Sequence, residues 1–248
     1  MSGRLSHPLV WAAAVVAGLV LVVVLVVTSS GGPGSSGGAS AGETPASLTA
    51  ADPPLTRPAG RPLRVLFAGD SITDGAFAIE PGTGAFPALI TERLEQDGPV
   101  DSTIIGGPGL TAAQVMPEVP GAGPADVVVV EVGTNDELRS TAAQFAVDFP
   151  AFLNAVRAQS PSAVLVCLGD WNDTAITAQL DAIMAQECAE RDGSFTALSA
   201  LYRDLSLHGP AGVTRSDGWV TDEFHPNDAG HAAIAEKVLD ELGVTSAG

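Results

Sequence analysis

From Arg64 onward, short runs of β-branched and aliphatic residues alternate with longer stretches whose apolar positions recur at helical spacing. Val65–Ala68, Ser102–Ile105, Val127–Val132, Val164–Leu168 and Phe195–Leu198 read as five strands. Phe86–Gln96, Ala112–Glu118, Ala142–Gln159, Ala175–Arg191 and Ala229–Leu242 read as helices between and after them. Strand and helix in alternation are the mark of βαβ units wound around a parallel sheet. Several strands are continuously apolar, as Val127–Val130 is, and must be buried on both faces, so helices are expected on both sides. The pattern predicts an α/β domain with three layers, a five-stranded parallel sheet between helices, over residues 63–248.

The chain before that domain has a different texture. Residues 1–8 are short and polar, and Leu9–Val27 then runs for 19 residues without a charged or strongly polar side chain. As a helix it would span about 28 Å, the thickness of a bilayer core. Arg4 precedes it and the next basic side chain apart from His7 is Arg57, an asymmetry that places the amino end in the cytoplasm and the rest outside. The expectation is a single-pass transmembrane helix with an extracytoplasmic domain; the alternative is a cleaved signal peptide, with small residues after Val27, and a secreted product. Residues 28–62 are Gly, Ser, Ala, Thr and Pro with almost no large apolar side chain, the composition of a flexible tether.

Charge narrows the function. Against 29 acidic residues stand 11 Lys and Arg, for a net charge of −18, which repels phosphate backbones and leaves no basic stripe for nucleic acid. Two cysteines, Cys167 and Cys188, are too few for a zinc ribbon or a disulfide framework. Cys167 lies in an apolar run and reads as core, with one bridge to Cys188 open to an exported domain. No Cys, His and carboxylate cluster calls for a metal, and no glycine fingerprint calls for a dinucleotide.

In a parallel sheet the ligand crevice opens at the carboxyl ends of the strands. Gly69-Asp70-Ser71 follows the first strand, Gly106-Gly107-Pro108-Gly109 the second, Gly133-Thr134-Asn135-Asp136 the third and Gly169-Asp170-Trp171-Asn172 the fourth. A serine hydroxyl at such a turn caps a helix or, given a base and a group to orient that base, acts as a nucleophile. Asp222 and His225, three residues apart before the last helix, offer that pair, the carboxylate taking one ring nitrogen and leaving the other outward. His208 has no such neighbour, and His231, inside the last helix, reads as structure. The backbone N–H groups of Ser71 and Gly109 and the side-chain amide of Asn135 are candidate donors for a developing oxyanion. Read structurally, Asn135 caps the next helix and the glycines make a turn.

The blocks "GDSITDG", the second-strand loop ending in Gly109, "GTND" and "DEFH" occur in an order that resembles the SGNH (GDSL) hydrolase family over about Val65–Leu242. The resemblance implies a flavodoxin-like sandwich and a serine esterase without cofactor. It makes Ser71 the nucleophile, His225 the base, Asp222 its orienting partner, and Gly109, Asn135 and the Ser71 amide the oxyanion hole. Many members carry an Asn ahead of the second block's glycine where this chain has Ile104-Ile105, so Gly106 and Gly107 compete with Gly109 for that role. Family members act on acetylated sugars, short acyl esters, phospholipids and thioesters. The chain has no long apolar insertion to form a lid, and Asp70, Asp170 and Trp171 are candidates for a polar, aromatic substrate rim. The expected substrate is a small or glycan-borne O-acyl ester. An acyltransferase, a lysophospholipase or thioesterase on the same fold, and a non-catalytic envelope-binding domain are the alternatives.

Overall fold

The computed structural model describes residues 55–215 and 218–244. The predicted transmembrane segment 9–27 and most of the predicted tether lie outside them. Among the described residues no helix is long and apolar enough to cross a membrane. At Leu55 the chain already lies against the domain, with Arg57 Nη1 donating to the Pro99 carbonyl at 3.2 Å and Arg61 paired to Asp126 at 2.6 Å.

Five strands, β1 (Leu63–Gly69), β2 (Val100–Gly106), β3 (Val127–Glu131), β4 (Val164–Leu168) and β5 (Ser194–Thr196), form one sheet in the order β2-β1-β3-β4-β5. Every pairing is parallel. Alternate side chains of β1 and β3 divide between two buried clusters. Leu66, Ala68, Val128 and Val130 pack under the helices Ala112–Val115, Ala142–Gln159 and Ala175–Ala189. Val65, Phe67, Val127 and Val129 pack on the opposite face under Phe86–Glu95 and Asp228–Glu241. At about 25 cal/mol per Å² of apolar surface, both faces gain from burial, which is why β3 carries valine at every position before Glu131.

Helix starts follow local capping chemistry. Thr141 Oγ1 accepts from Gln144 N at 3.1 Å, Thr174 Oγ1 from Thr177 N at 3.0 Å, and Asn227 Oδ1 from Gly230 N at 3.0 Å. The predicted helix Ala112–Glu118 is α-helical only to Val115 and tightens to a 3₁₀ turn over Met116–Glu118, where Pro117 lacks the N–H an α-turn needs. Asn135 does not cap the following helix. It lies within a six-residue helix of its own, Thr134–Arg139, too short to show a period in the sequence.

Cys167 in β4 and Cys188 in the helix Ala175–Ala189 are joined by a disulfide, their Cα atoms 6.4 Å apart and both residues fully buried. Read along the chain their surroundings look separate; the βα unit folds the helix back over its own strand and brings them together.

Candidate active site

Because β1 is flanked by β2 on one side and β3 on the other, chain connections leave it in opposite directions and a crevice opens at its carboxyl end. Ser71 stands two residues past that end. Gly69 makes the turn possible: a Cβ there would lie 2.0 Å from Thr73 Oγ1 and 2.2 Å from the Glu131 carbonyl oxygen.

Ser71 Oγ is 3.1 Å from His225 Nε2, and His225 Nδ1 is 2.8 Å from Asp222 Oδ2. The other carboxylate oxygen of Asp222 accepts the backbone N–H groups of Phe224 and His225, each at 2.8 Å. These bonds fix the carboxylate, which in turn fixes the imidazole with its proton on Nδ1 and a lone pair on Nε2 toward the serine. Burial pulls the Asp222 carboxyl up, but the bonds from His225 and Phe224 outweigh it and hold the group below its ordinary value. Burial lowers His225 below 6.5 against the opposing pull of Asp222, so the ring is a neutral base at pH 7. Phe77, held at φ +69°, packs tilted at 42° against this imidazole with centroids 4.4 Å apart, and the Arg215 guanidinium sits 5.7 Å from the Phe77 ring.

These groups share a cavity of about 380 Å³ with Pro108, Gly109, Asn135 and Trp219. Of the three glycines in the second loop, Gly106 N donates to Glu118 Oε2 at 3.1 Å and Gly107 N to the Gly69 carbonyl at 3.1 Å. Gly109 lines the cavity at φ +78°, its carbonyl accepting from Arg139 Nη1 at 2.5 Å. Asn135 also lines it, with Nδ2 donating to Asp70 Oδ2 at 3.0 Å. The arrangement offers a hydroxyl with a base in reach and N–H donors beside it, the equipment of acyl transfer.

The expected substrate rim is corrected. Asp70, Asp170 and Trp171 are all fully buried. Trp171 continues the apolar cluster under the last helix, donates Nε1–H to the Phe224 carbonyl at 2.8 Å and packs against Tyr202 and His208. An indole after a strand end reads the same whether it turns in or out, and here the core takes it. Trp219, which sequence reasoning passed over, is the tryptophan at the cavity mouth, 59% exposed. Glu131 was passed over as well, since nothing marks it in an apolar strand except its charge. His231 is fully buried, accepting from Phe86 N at 3.3 Å and bonded through Nε2 to the Ala76 carbonyl at 2.9 Å; burial lowers it to about 4, so it stays neutral. Among the described residues no cluster of three or more His, Cys, Asp or Glu could hold a metal ion.

A parallel α/β sandwich with a serine, imidazole and carboxylate in line at its switch point defines the class: a carboxylic ester hydrolase of the serine type. Residues 67–233 match the GDSL-like Lipase/Acylhydrolase family, and the chain belongs to it. Comparison with curated proteins finds no match. Among solved structures, that of TesA is similar at 22% identity and a TM-score of 0.55, covering 72% of this chain and 97% of TesA. A family two carbohydrate esterase from Clostridium thermocellum in complex with cellohexaose is similar at 18% and 0.55, covering 74% and 66%. A two-domain esterase active on acetylated mannans is similar at 20% and 0.57, covering 73% and 49%. At these identities the likeness shows a shared fold.

Proposed function

We propose that this chain is a serine esterase that removes short acyl groups, O-acetyl first among them, from carbohydrate through an acyl-enzyme on Ser71. The observation that carries the reading is the line Ser71 Oγ, His225 Nε2, His225 Nδ1, Asp222 Oδ2 at 3.1 and 2.8 Å inside one cavity. Ser71 Oγ attacks the ester carbonyl as His225 Nε2 takes its proton, and the carbonyl oxygen becomes an anion facing the Ser71 and Gly109 amides and Asn135 Nδ2. Collapse of that intermediate breaks the carbon–oxygen bond, and the imidazolium returns its proton to the departing alcohol. Water, deprotonated by His225, then releases the acid and restores the serine. Ser71, His225 and Asp222 are the catalytic residues in this reading; Asp70, Asp170 and Trp171 do not contact substrate.

Two features favour an acylated sugar. The cavity of about 380 Å³ suits a small acyl group with part of one ring, and the exposed Trp219 offers a flat apolar face at its mouth against which a sugar can stack. The apolar segment and small-residue stretch ahead of the domain support action outside the cell membrane, on a tether or after release.

A fluorophosphonate probe should label the wild type and leave Ser71→Ala unlabelled, with acetyl-ester hydrolysis lost in parallel. Trp219→Ala should raise KM for acetylated oligosaccharides severalfold while sparing 4-nitrophenyl acetate. Equal hydrolysis by Ser71→Ala rules out the mechanism, and a preference for long acyl chains over acetyl rules out the substrate.

A further inference from the structure

We propose that Asp70 and Glu131 are positioning residues: a buried carboxyl pair that turns the Asn135 amide so that N–H and not C=O faces the cavity. The inference rests on the reading of Asn135 as an oxyanion donor.

The register of the sheet makes the pair. Gly69 at the end of β1 lies opposite Glu131 at the end of β3, and Asp70 N donates to the Glu131 carbonyl at 3.2 Å. Both side chains are fully buried. Two neighbouring carboxyls taken out of water do not both ionise, because each charge opposes the other with little solvent to screen it. Burial, with the Asp70 charge added, pushes Glu131 well above the ordinary range, whereas Asp70 is raised by burial only to about 6. At neutral pH Asp70 is the anion and Glu131 the acid. Asp170, two residues past β4, raises Glu131 further only where it is itself ionised, and Asp136 on the helix Thr134–Arg139 feels the Asp70 charge.

Each oxygen then has an assigned task. Glu131 Oε2 accepts from Thr73 N at 3.2 Å and Thr73 Oγ1 at 2.8 Å, leaving Oε1 to carry the proton. Asp70 Oδ1 accepts from Ile72 N at 3.0 Å and Oδ2 from Asn135 Nδ2 at 3.0 Å. A flipped Asn135 would set its amide oxygen against a carboxylate oxygen, two acceptors with no proton between them. With one N–H of Nδ2 engaged by Asp70, the second is left for the cavity that Asn135 lines. Pre-aimed donors of this kind act on the transition state more than on substrate binding.

The test is a double-mutant cycle read in steady-state kinetics, with thermal unfolding as the control for folding. Asp70→Asn supplies one acceptor where two are needed, so kcat should fall roughly 10–100-fold, up to the lower end of the roughly 10²–10³ range for losing an oxyanion donor outright, with KM changed less than about 2-fold. In an Asn135→Ala background the same change should cost less than about 2-fold, because the group it acts through is gone. Glu131→Leu should lower kcat, and Glu131→Gln, which keeps an acceptor for Thr73 and an N–H for Asp70, should restore most of it. Losses that add in the double variant, or an Asp70→Asn enzyme with wild-type kcat, overturn the proposal. If Asp70→Asn does not fold, the Glu131 variants measured with and without Asn135 read the same coupling, and additivity there overturns it equally. Loss of hydrolysis in Ser71→Ala together with an additive cycle defeats only the pair, whereas hydrolysis surviving in Ser71→Ala defeats the catalytic reading itself.

Discussion

Asp170→Asn tests how the buried carboxyls at the strand ends are charged. Asp170 is fully buried, and burial together with the neighbouring Glu137 carboxylate pushes it up to about 8. In the unfolded chain the same carboxyl ionises near its ordinary value of 3.8. Between those limits the folded protein holds a proton that the unfolded chain has released. The contribution is present in full below about 4 and is lost as pH rises toward about 8, at about 1.4 kcal/mol per pH unit. Asparagine matches the neutral acid in shape and does not titrate. The stability of the variant relative to wild type should therefore grow by about 2.7 kcal/mol from pH 5 to pH 7. For a domain of this size that is a Tm difference widening by roughly 5–10 °C. His225 and His231, lowered in the fold, titrate in both proteins and cancel in the difference. Thermal unfolding of both by circular dichroism at pH 5, 6 and 7 reads the effect. A Tm difference that stays constant, or widens toward acid, shows that Asp170 is ionised in the fold and refutes the reasoning.

Further outcomes follow from the same geometry. His225 lies below 6.5 because burial disfavours its charge, and only the neutral ring accepts the Ser71 proton, so kcat/KM should rise along an acid limb with a midpoint below 6.5 and then level through pH 8. A midpoint above 6.5 would contradict the assigned environment. Asp222→Asn removes the acceptor that fixes the Nδ1–H tautomer and should lower kcat by about 10²–10⁴, with Ser71 still present; a loss under tenfold would separate Asp222 from the chemistry. The disulfide closes 21 positions of chain, so Cys167→Ala with Cys188→Ala should cost about 3 kcal/mol of unfolding free energy in urea, or the equivalent on reduction. Unchanged stability on reduction would mean that packing of β4 against its helix suffices.

How far the chain could be read depends on the range of the interaction that decides each feature. The strands were legible because burial on both faces demands apolar runs, and Val127–Glu131 and Val164–Leu168 carry little else. The long helices were legible because their apolar positions recur at helical spacing, and the Thr141 and Asn227 caps that start two of them act within three residues. Ser71, Asp222 and His225 were candidates from residue type and spacing, since Asp222 and His225 are one turn apart. Trp171 and Trp219 could not be told apart in the same way. Both are tryptophans beside polar residues, and only the position of the last helix and of Tyr202 puts one in the core while the other stays in solvent.

The amino-acid order alone determined the alternation of strand and helix, the polar ends of the strands and the chemical types available there, because these rest on periodicity and on contacts a few residues long. Tertiary structure decided what those residues do to one another. Sheet order set Glu131 beside Asp70 across two strands, packing joined Cys167 to Cys188, and two spent amides left Gly109 as the glycine in the cavity. Ser71 and His225, 154 positions apart, meet at 3.1 Å because β1 and the loop before the last helix end at the same edge of the sheet. No local propensity encodes such a meeting; it exists only when the whole core has closed.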